Sequence, residues 1–134
     1  MKIEKKKVCD VAGAILAAVG CTSVELSILF MDDEDIRELN REYRKKNRPT
    51  DVLSFPMREG EFGDLNPDLL GDVVISLDTA KRQAEERGET LEEEITLLLI
   101  HGILHLLGFD HEKNTAEARR MQAKEKELAG LLKP

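Results

Sequence analysis

Hydrophobic residues recur along most of the chain at the spacings of helices and short strands. Residues 5–19 place them three or four positions apart, which predicts a helix that Gly20 ends. Residues 23–31 alternate apolar and polar positions and predict a strand. Apolar runs at 52–55 and 71–77 predict two more strands. A proline closes the first of these runs, which limits that strand to an edge or an end of its sheet.

Four further segments have helical spacing and begin at residues able to cap a helix. The predicted capping residues or pairs are Asp32, Asp78, Thr90 with Glu93, and Asn114 with Glu117. The predicted inner face of the first of these helices is Ile36, Leu39, Asn40 and Tyr43. The third runs to Gly108 and is apolar on nearly every side from Leu97 to Leu107. It should therefore be central and buried.

The order of these elements predicts an α+β fold. Residues 1–134 should form a single domain, a small mixed sheet of three to four strands packed with about five helices. Residues 57–70 form the one long predicted loop, rich in glycine and proline, and a loop of this length in a compact domain is often functional or mobile.

Composition narrows the classes of partner. The net charge of −7 argues against binding an anionic polymer over the whole surface. With four Phe, one Tyr and no Trp, stacking of bases on an aromatic platform is not expected. No segment has the pattern of a signal peptide, and the longest apolar run is too short to span a bilayer. We therefore predict a cytoplasmic, monomeric protein with no membrane partner.

All three histidines lie within one stretch of eleven residues. His101 and His105 are four positions apart on the predicted central helix, so their imidazoles project from the same face. Gly108 can end the helix in a left-handed conformation and turn His111 back toward the pair. Three imidazoles leave a fourth tetrahedral position for water, which is the catalytic arrangement of zinc. The sequence thus predicts a metal site on the central buried helix, with one Zn²⁺ per chain.

The histidine stretch matches the H-E-x-x-H-x-x-G-x-x-H pattern of the metzincin proteases except at one position, where it has Gly102. Their catalytic glutamate would stand at position 102, so the usual general base for peptide hydrolysis is missing. A glycine inside a helix costs about 1 kcal/mol relative to alanine. Two explanations are open, close packing of another segment or room for a bulky substrate.

Three motifs carry a resemblance to a known family. They are H-G-I-L-H-L-L-G-F-D-H at 101–111, Y-R-K-K-N-R-P-T-D-V-L-S-F-P at 43–56 and G-D-V-V-I-S at 71–76. Together they resemble the endoribonuclease YbeY family, and the likeness extends from about Val24 to Glu127. The resemblance implies a zinc-dependent, single-strand-specific endoribonuclease that acts in 3′-end maturation of small-subunit ribosomal RNA and in ribosome quality control.

The resemblance also assigns residues and partners. It implies that His101, His105 and His111 bind the zinc, and it places the functionally important arginine of the family at Arg44. The implied partners are single-stranded RNA, in particular small-subunit ribosomal RNA, and the ribosomal subunit or ribosome-associated proteins.

A basic patch surrounds Arg44. Residues 37–48 hold six basic side chains against two acidic ones, a local charge of +4. The patch is either a solvated helix face or a binding site for phosphates. In the second case Arg44 can clamp phosphate oxygens bidentately and stabilise the charge of the transition state. Lys45, Lys46 and Arg48 would contact the neighbouring phosphates.

The mechanism predicted from these residues is metal-assisted hydrolysis of a phosphodiester, with either water or the 2′-hydroxyl of the substrate as nucleophile. Asp110 either orients a ligand or accepts a proton, or is a solvent-facing turn residue. Two alternatives from other classes remain. The first is a non-catalytic, zinc-containing factor associated with the ribosome, and the second is a zinc metalloprotease.

Overall fold

The structure is a computed structural model, and it describes residues 3–21, 23–56, 69–109 and 114–132. In chain order the elements are α1 (Lys5–Ala18), β1 (Glu25–Met31), α2 (Asp33–Arg44), β2 (Val52–Pro56), β3 (Leu69–Ser76), α3 (Leu77–Arg87), α4 (Leu91–Leu106) and α5 (Thr115–Leu132). The described chain is thus one small α+β domain, as predicted. Within it, no helix combines the length and the apolar character needed to cross a membrane.

The sheet is mixed and has the order β1-β3-β2. β1 runs parallel to β3, with Ile28 opposite Val73, and β2 runs antiparallel to β3, with Ser54 opposite Val73. β3 is the central strand, and Val73, Val74 and Ile75 are buried on both of its faces. β2 lies at an edge of the described sheet and ends at Pro56, the two features predicted for a strand closed by proline. These placements confirm the predicted strands.

The central position predicted for the long apolar helix is confirmed. α4 packs against β2, β3, α1, α3 and α5. Leu99, Ile103 and Leu104 have no exposed surface. The predicted capping box starts it, because Glu93 N donates to Thr90 Oγ1 over 3.1 Å and Thr90 N donates to Glu93 Oε1 over 3.0 Å. A side chain on this helix is therefore held on a rigid element.

Two of the predicted boundaries need correction. Ser76, not Asp78, caps α3, since Thr79 N donates to Ser76 Oγ over 3.2 Å. Asp78 Oδ2 instead accepts from Asp33 N over 3.0 Å, a tertiary contact that the local sequence does not reveal. The predicted loop 57–70 is too long at its end, because β3 begins at Leu69, and residues 57–68 lie outside the described chain.

The Asp33 carboxylate ties α2 to the start of α3. Its Oδ1 accepts from Ser76 Oγ and from Thr79 Oγ1, each over 2.6 Å, and its Oδ2 lies 2.8 Å from Arg82 Nη2. Burial raises the pKa of Asp33, but these hydrogen bonds and the Arg82 charge outweigh it and hold the pKa below its usual value. The network fixes the position of α2, whose far end carries Arg44.

Candidate active site

The structure brings two of the three predicted metal ligands together. The His101 and His105 rings lie on the same face of α4, with centroids 4.8 Å apart and planes 68° apart. Both side chains are half-buried. His111 and its neighbour Asp110 lie outside the described residues. In the part of the chain that is described, no group of three or more His, Cys, Asp or Glu side chains could hold a metal.

A glutamate from α5 meets the first histidine of the pair. Glu125 Oε2 lies 3.4 Å from His101 Nδ1, and the two side chains are 31% and 27% exposed. A carboxylate beside one ring nitrogen orients the imidazole, as is usual behind metal-binding histidines. The two residues are 24 positions apart, so no local spacing indicated this contact.

A groove of about 940 Å³ opens along one side of the histidine pair. Its wall contains both His101 and His105 and also Arg44, the last residue of α2. The other lining residues are Asn40, Tyr43, Lys46, Arg48, Pro49, Thr50, Asp51, Val52, Leu53, Ser54, Phe55, Pro56, Gly108 and Phe109. The fold therefore places the predicted arginine and two predicted metal ligands on one continuous surface.

Hydrogen bonds hold the segment after α2 in a position where Lys46 and Arg48 line this groove. Lys45 ends the helix in a left-handed conformation, with φ of 59°, and turns the chain. Buried Asn40 then holds the next residues, because its side-chain Nδ2 donates to Arg48 O over 2.8 Å and its backbone O accepts from Lys46 N over 3.3 Å. The predicted inner position of Asn40 thus has a structural role in shaping the groove.

The predicted basic patch divides into two parts. Arg41 Nη2 lies 2.6 Å from Glu38 Oε2 in an exposed ion pair on α2, and this hydrogen bond and charge lower the pKa of Glu38. Three other cations of the patch, Arg44, Lys46 and Arg48, line the groove. Only this second part lies beside the histidines, so the positive potential there comes from a few residues and not from the whole helix.

Aromatic side chains are concentrated in the same groove. Of the four Phe and Tyr residues in the described ranges, three line it: Tyr43, Phe55 and Phe109. The prediction that Tyr43 belongs to the inner face of α2 is wrong, because its surface is 62% exposed. The buried face of that helix ends at Asn40, and the Tyr43 ring lies edge-to-face with the Phe55 ring on β2, at a centroid distance of 5.3 Å.

Gly102 is buried against the sheet. An alanine Cβ at this position would lie 2.8 Å from Val73 Cγ1 and 3.3 Å from Ser54 Oγ. Ser54 Oγ also donates to the Gly102 carbonyl over 2.9 Å. Of the two explanations for this glycine, the structure favours close packing, here of α4 on β3 and β2.

Replacing Gly102 with alanine should destabilise the fold. Alanine is the better helix former by about 1 kcal/mol, but overpacking a filled core costs roughly 1–3 kcal/mol. Val73 is fully buried and stiff, so it yields little. We expect a net loss of about 1 kcal/mol in the free energy of unfolding, measured by urea denaturation.

The matched control is Gly13→Ala in α1, where a new Cβ would meet no atom within 4 Å. This variant should gain stability from helix propensity alone. A Val73→Ala change should make Gly102→Ala less costly, since it removes the methyl groups that collide. If both glycine variants were stabilised equally, the close-packing explanation would be wrong.

Comparison with known proteins gives one consistent family. The sequence model of the family described as endoribonuclease YbeY matches residues 2–133. The endoribonuclease YbeY of Geobacter sulfurreducens is 53% identical over 131 residues, which cover 97% of this chain and 87% of that protein. The endoribonuclease YbeY of Aquifex aeolicus is 55% identical over 121 residues, covering 90% of this chain and 79% of its own.

A solved structure agrees with the fold. The solution structure of a Thermotoga maritima protein superimposes with a TM-score of 0.64 at 29% sequence identity, covering 92% of this chain and 77% of that one. Fold, groove and relatives together define a small α+β hydrolase of the endoribonuclease class. The chain belongs to the endoribonuclease YbeY family, which confirms the resemblance found in the three motifs.

Proposed function

We propose that this protein is a zinc-dependent endoribonuclease that cleaves single-stranded RNA, with residues 1–134 forming its one catalytic domain. The observation that supports it most is the groove in which His101, His105 and Arg44 meet. A single surface there offers metal ligands and a guanidinium to the same substrate. The proposal assigns one Zn²⁺ per chain to His101, His105 and His111.

The described residues fit a zinc ion. Two imidazoles four positions apart on a rigid helix, with ring centroids 4.8 Å apart, have the spacing at which two ring nitrogens can bind one ion. Glu125 beside His101 Nδ1 matches the carboxylate–histidine pairing by which proteins direct the other ring nitrogen to a metal. Bound zinc would supply Lewis acidity and an activated water near neutral pH.

In this mechanism Arg44 holds the phosphate. Its guanidinium can donate two parallel hydrogen bonds to phosphate oxygens and stabilise the charge that develops during cleavage. Lys46 and Arg48 line the same groove and would neutralise neighbouring phosphates, while exposed Lys45 lies just before them, at the turn that ends α2. On a chain of net charge −7, this local positive strip directs a polyanion to the groove.

The residues of the groove are poorly suited to peptide hydrolysis. Position 102, where a metzincin has its general base, is a buried glycine packed on Val73. A neutral peptide also gains little from the cations that line the groove, whereas a phosphodiester gains much. Asp110 is proposed to orient its neighbour His111 from outside the ligand set, or to accept a proton.

The proposed biological role follows from family membership. The RNA substrate would be small-subunit ribosomal RNA at its 3′ end, with a further role in ribosome quality control. The partners would be the ribosomal subunit or ribosome-associated proteins, and the protein would act as a monomer in the cytoplasm.

The test compares three substrates with zinc-loaded protein: a single-stranded RNA, the same RNA annealed to its complement, and casein. We expect cleavage of the single strand, little action on the duplex and none on casein. Chelator should abolish the activity, and rising salt should reduce it steeply if several phosphates are neutralised. Zinc content near one per chain without RNA cleavage would favour the non-catalytic ribosome factor. Digestion of casein would favour the protease.

A further inference from the structure

We propose that Tyr43 is a stacking platform for one unpaired nucleobase of the bound RNA, beside the phosphate held by Arg44. The inference rests on the proposed function and adds a substrate-positioning residue to it. It departs from what composition predicts, because a chain with five Phe and Tyr residues in total offers few rings for stacking. The structure places three of those rings in one groove.

The exposure of Tyr43 is the first observation. A tyrosine at the inner spacing of an amphipathic helix is expected to be covered, yet 62% of its surface is accessible. Its ring opens onto the groove that contains His101 and His105. An aromatic ring exposed in this way at a binding groove offers a large apolar face at a low cost in conformational entropy.

The ring is also held in place. Phe55 supports it edge-to-face, at 5.3 Å between centroids and 72° between planes. This is one of the favoured arrangements of two aromatic rings. Because Phe55 on β2 supports the ring while 62% of the Tyr43 surface stays accessible, the platform is already formed before RNA binds. A preformed site loses less entropy on binding.

Tyr43 and Arg44 are consecutive residues in the last turn of α2, and both line the groove. One turn of helix therefore presents a π-face and a guanidinium to neighbouring parts of the same strand. A base can stack on the first while a nearby phosphate binds the second. Stacking of this kind accepts any base, since every base has a π-face.

Strand preference follows from this contact. In a duplex, neighbouring bases cover both faces of each base, so a base must leave the stack before it can lie on Tyr43. For an unpaired base, the free energy needed to leave the stack is smaller. The ring would thus give a physical reason for preferring single strands, which no residue suggested from the sequence alone.

The chain provides its own probe. Tyr43 is the only tyrosine and there is no tryptophan, so intrinsic tyrosine emission reports on this position alone. We expect a single-stranded oligouridylate to quench this emission in the full-length protein. The measurement is made on two samples, the zinc-loaded protein and the same protein treated with chelator, in which the oligonucleotide is not cleaved. The duplex should quench it much less at equal nucleotide concentration.

Variants separate stacking from a structural role. Tyr43→Ala should weaken binding of the oligouridylate roughly fivefold or more, the fold-change that corresponds to loss of one stacked base. It should raise KM for cleavage while kcat changes little. Tyr43→Phe keeps the ring and should restore both affinity and KM. Leu131→Ala removes an equally exposed apolar side chain, 66% accessible on α5, and should change neither.

An oligonucleotide series with one abasic residue at successive positions completes the test. Removing the base at one of these positions should weaken binding to the parent protein. The same oligonucleotide should bind the Tyr43→Ala variant about as well as the intact oligonucleotide does. Unquenched emission, or a Tyr43→Ala variant with parental affinity, would overturn the inference while RNA cleavage by the parent still supported the endoribonuclease. If the alanine variant unfolds, quenching of the parental emission and the abasic series measured on the parent protein still decide between the two outcomes.

Discussion

Replacing His105 with alanine should remove both stoichiometric zinc binding and RNA cleavage. His105 is one of two imidazoles on the rigid α4 helix, and the proposed site has only three ligands. Two imidazoles hold zinc far more weakly than three. Metal analysis should therefore give close to one zinc per chain for the parent protein and much less for the variant. Cleavage of single-stranded RNA should fall to the level of the chelated parent protein.

The control for this experiment is Thr96→Ala, purified identically. Thr96 is half-buried on the same helix but lines a different, smaller cavity, near the start of α1. It should keep parental zinc content and activity. Tight binding of one zinc by His105→Ala would show that the proposed ligand set is wrong. Equal RNA cleavage by that variant would point to a contaminating nuclease and would contradict the assigned active site.

Changing Arg44 to glutamate should reduce RNA cleavage severely, by at least about a hundredfold, while zinc content stays at the parental level. Removing one group that stabilises transition-state charge costs roughly 10²–10³ in kcat in other enzymes, and reversing the charge adds repulsion of the phosphate. Arg44 is exposed at the end of α2, so the loss in stability should stay below about 1 kcal/mol. Steady-state cleavage rates and thermal unfolding measure the two effects.

The matched control is Arg41→Glu, which makes the same charge change about one turn earlier on the same helix. Arg41 pairs with Glu38 and is not part of the groove wall, so cleavage should change only slightly. Arg44→Lys should recover part of the activity, because a point charge cannot reproduce the bidentate contact. Unfolding of Arg44→Glu would mean that Arg44 is structural, and equal losses in the two glutamate variants would mean that only net charge matters.

The elements of the fold were largely predictable because their signals are local. The capping box of α4 and the Asn114 cap of α5 each involve residues three positions apart, and both form as predicted. The stretch of α4 that is apolar on nearly every side can be shielded from water only in the core. The capping of α3 was predicted wrongly, because Ser76 and Asp78 are both good caps and a tertiary contact from Asp33 engages Asp78.

The candidate site was only partly predictable. The His101 and His105 pair follows from helical geometry alone, and Arg44 follows from the family resemblance. The contact of the Glu125 carboxylate with His101 could not be predicted from the sequence. It joins two helices, and no spacing of residues along the chain specifies how those helices pack. Tyr43 was predicted on the buried face because periodicity assigns a face to each residue but does not show where the neighbouring sheet ends.

By itself, the sequence determined which segments are helices and strands, which helix is central, and that two imidazoles share one face of it. These properties depend on contacts within about one turn or on the average polarity of a face, and both can be read along the chain. The tertiary structure alone decided that the cations after α2, three aromatic rings and the histidine pair line one groove. Such long-range neighbours depend on how α2, β2 and α4 pack together, which the order of residues along the chain does not display.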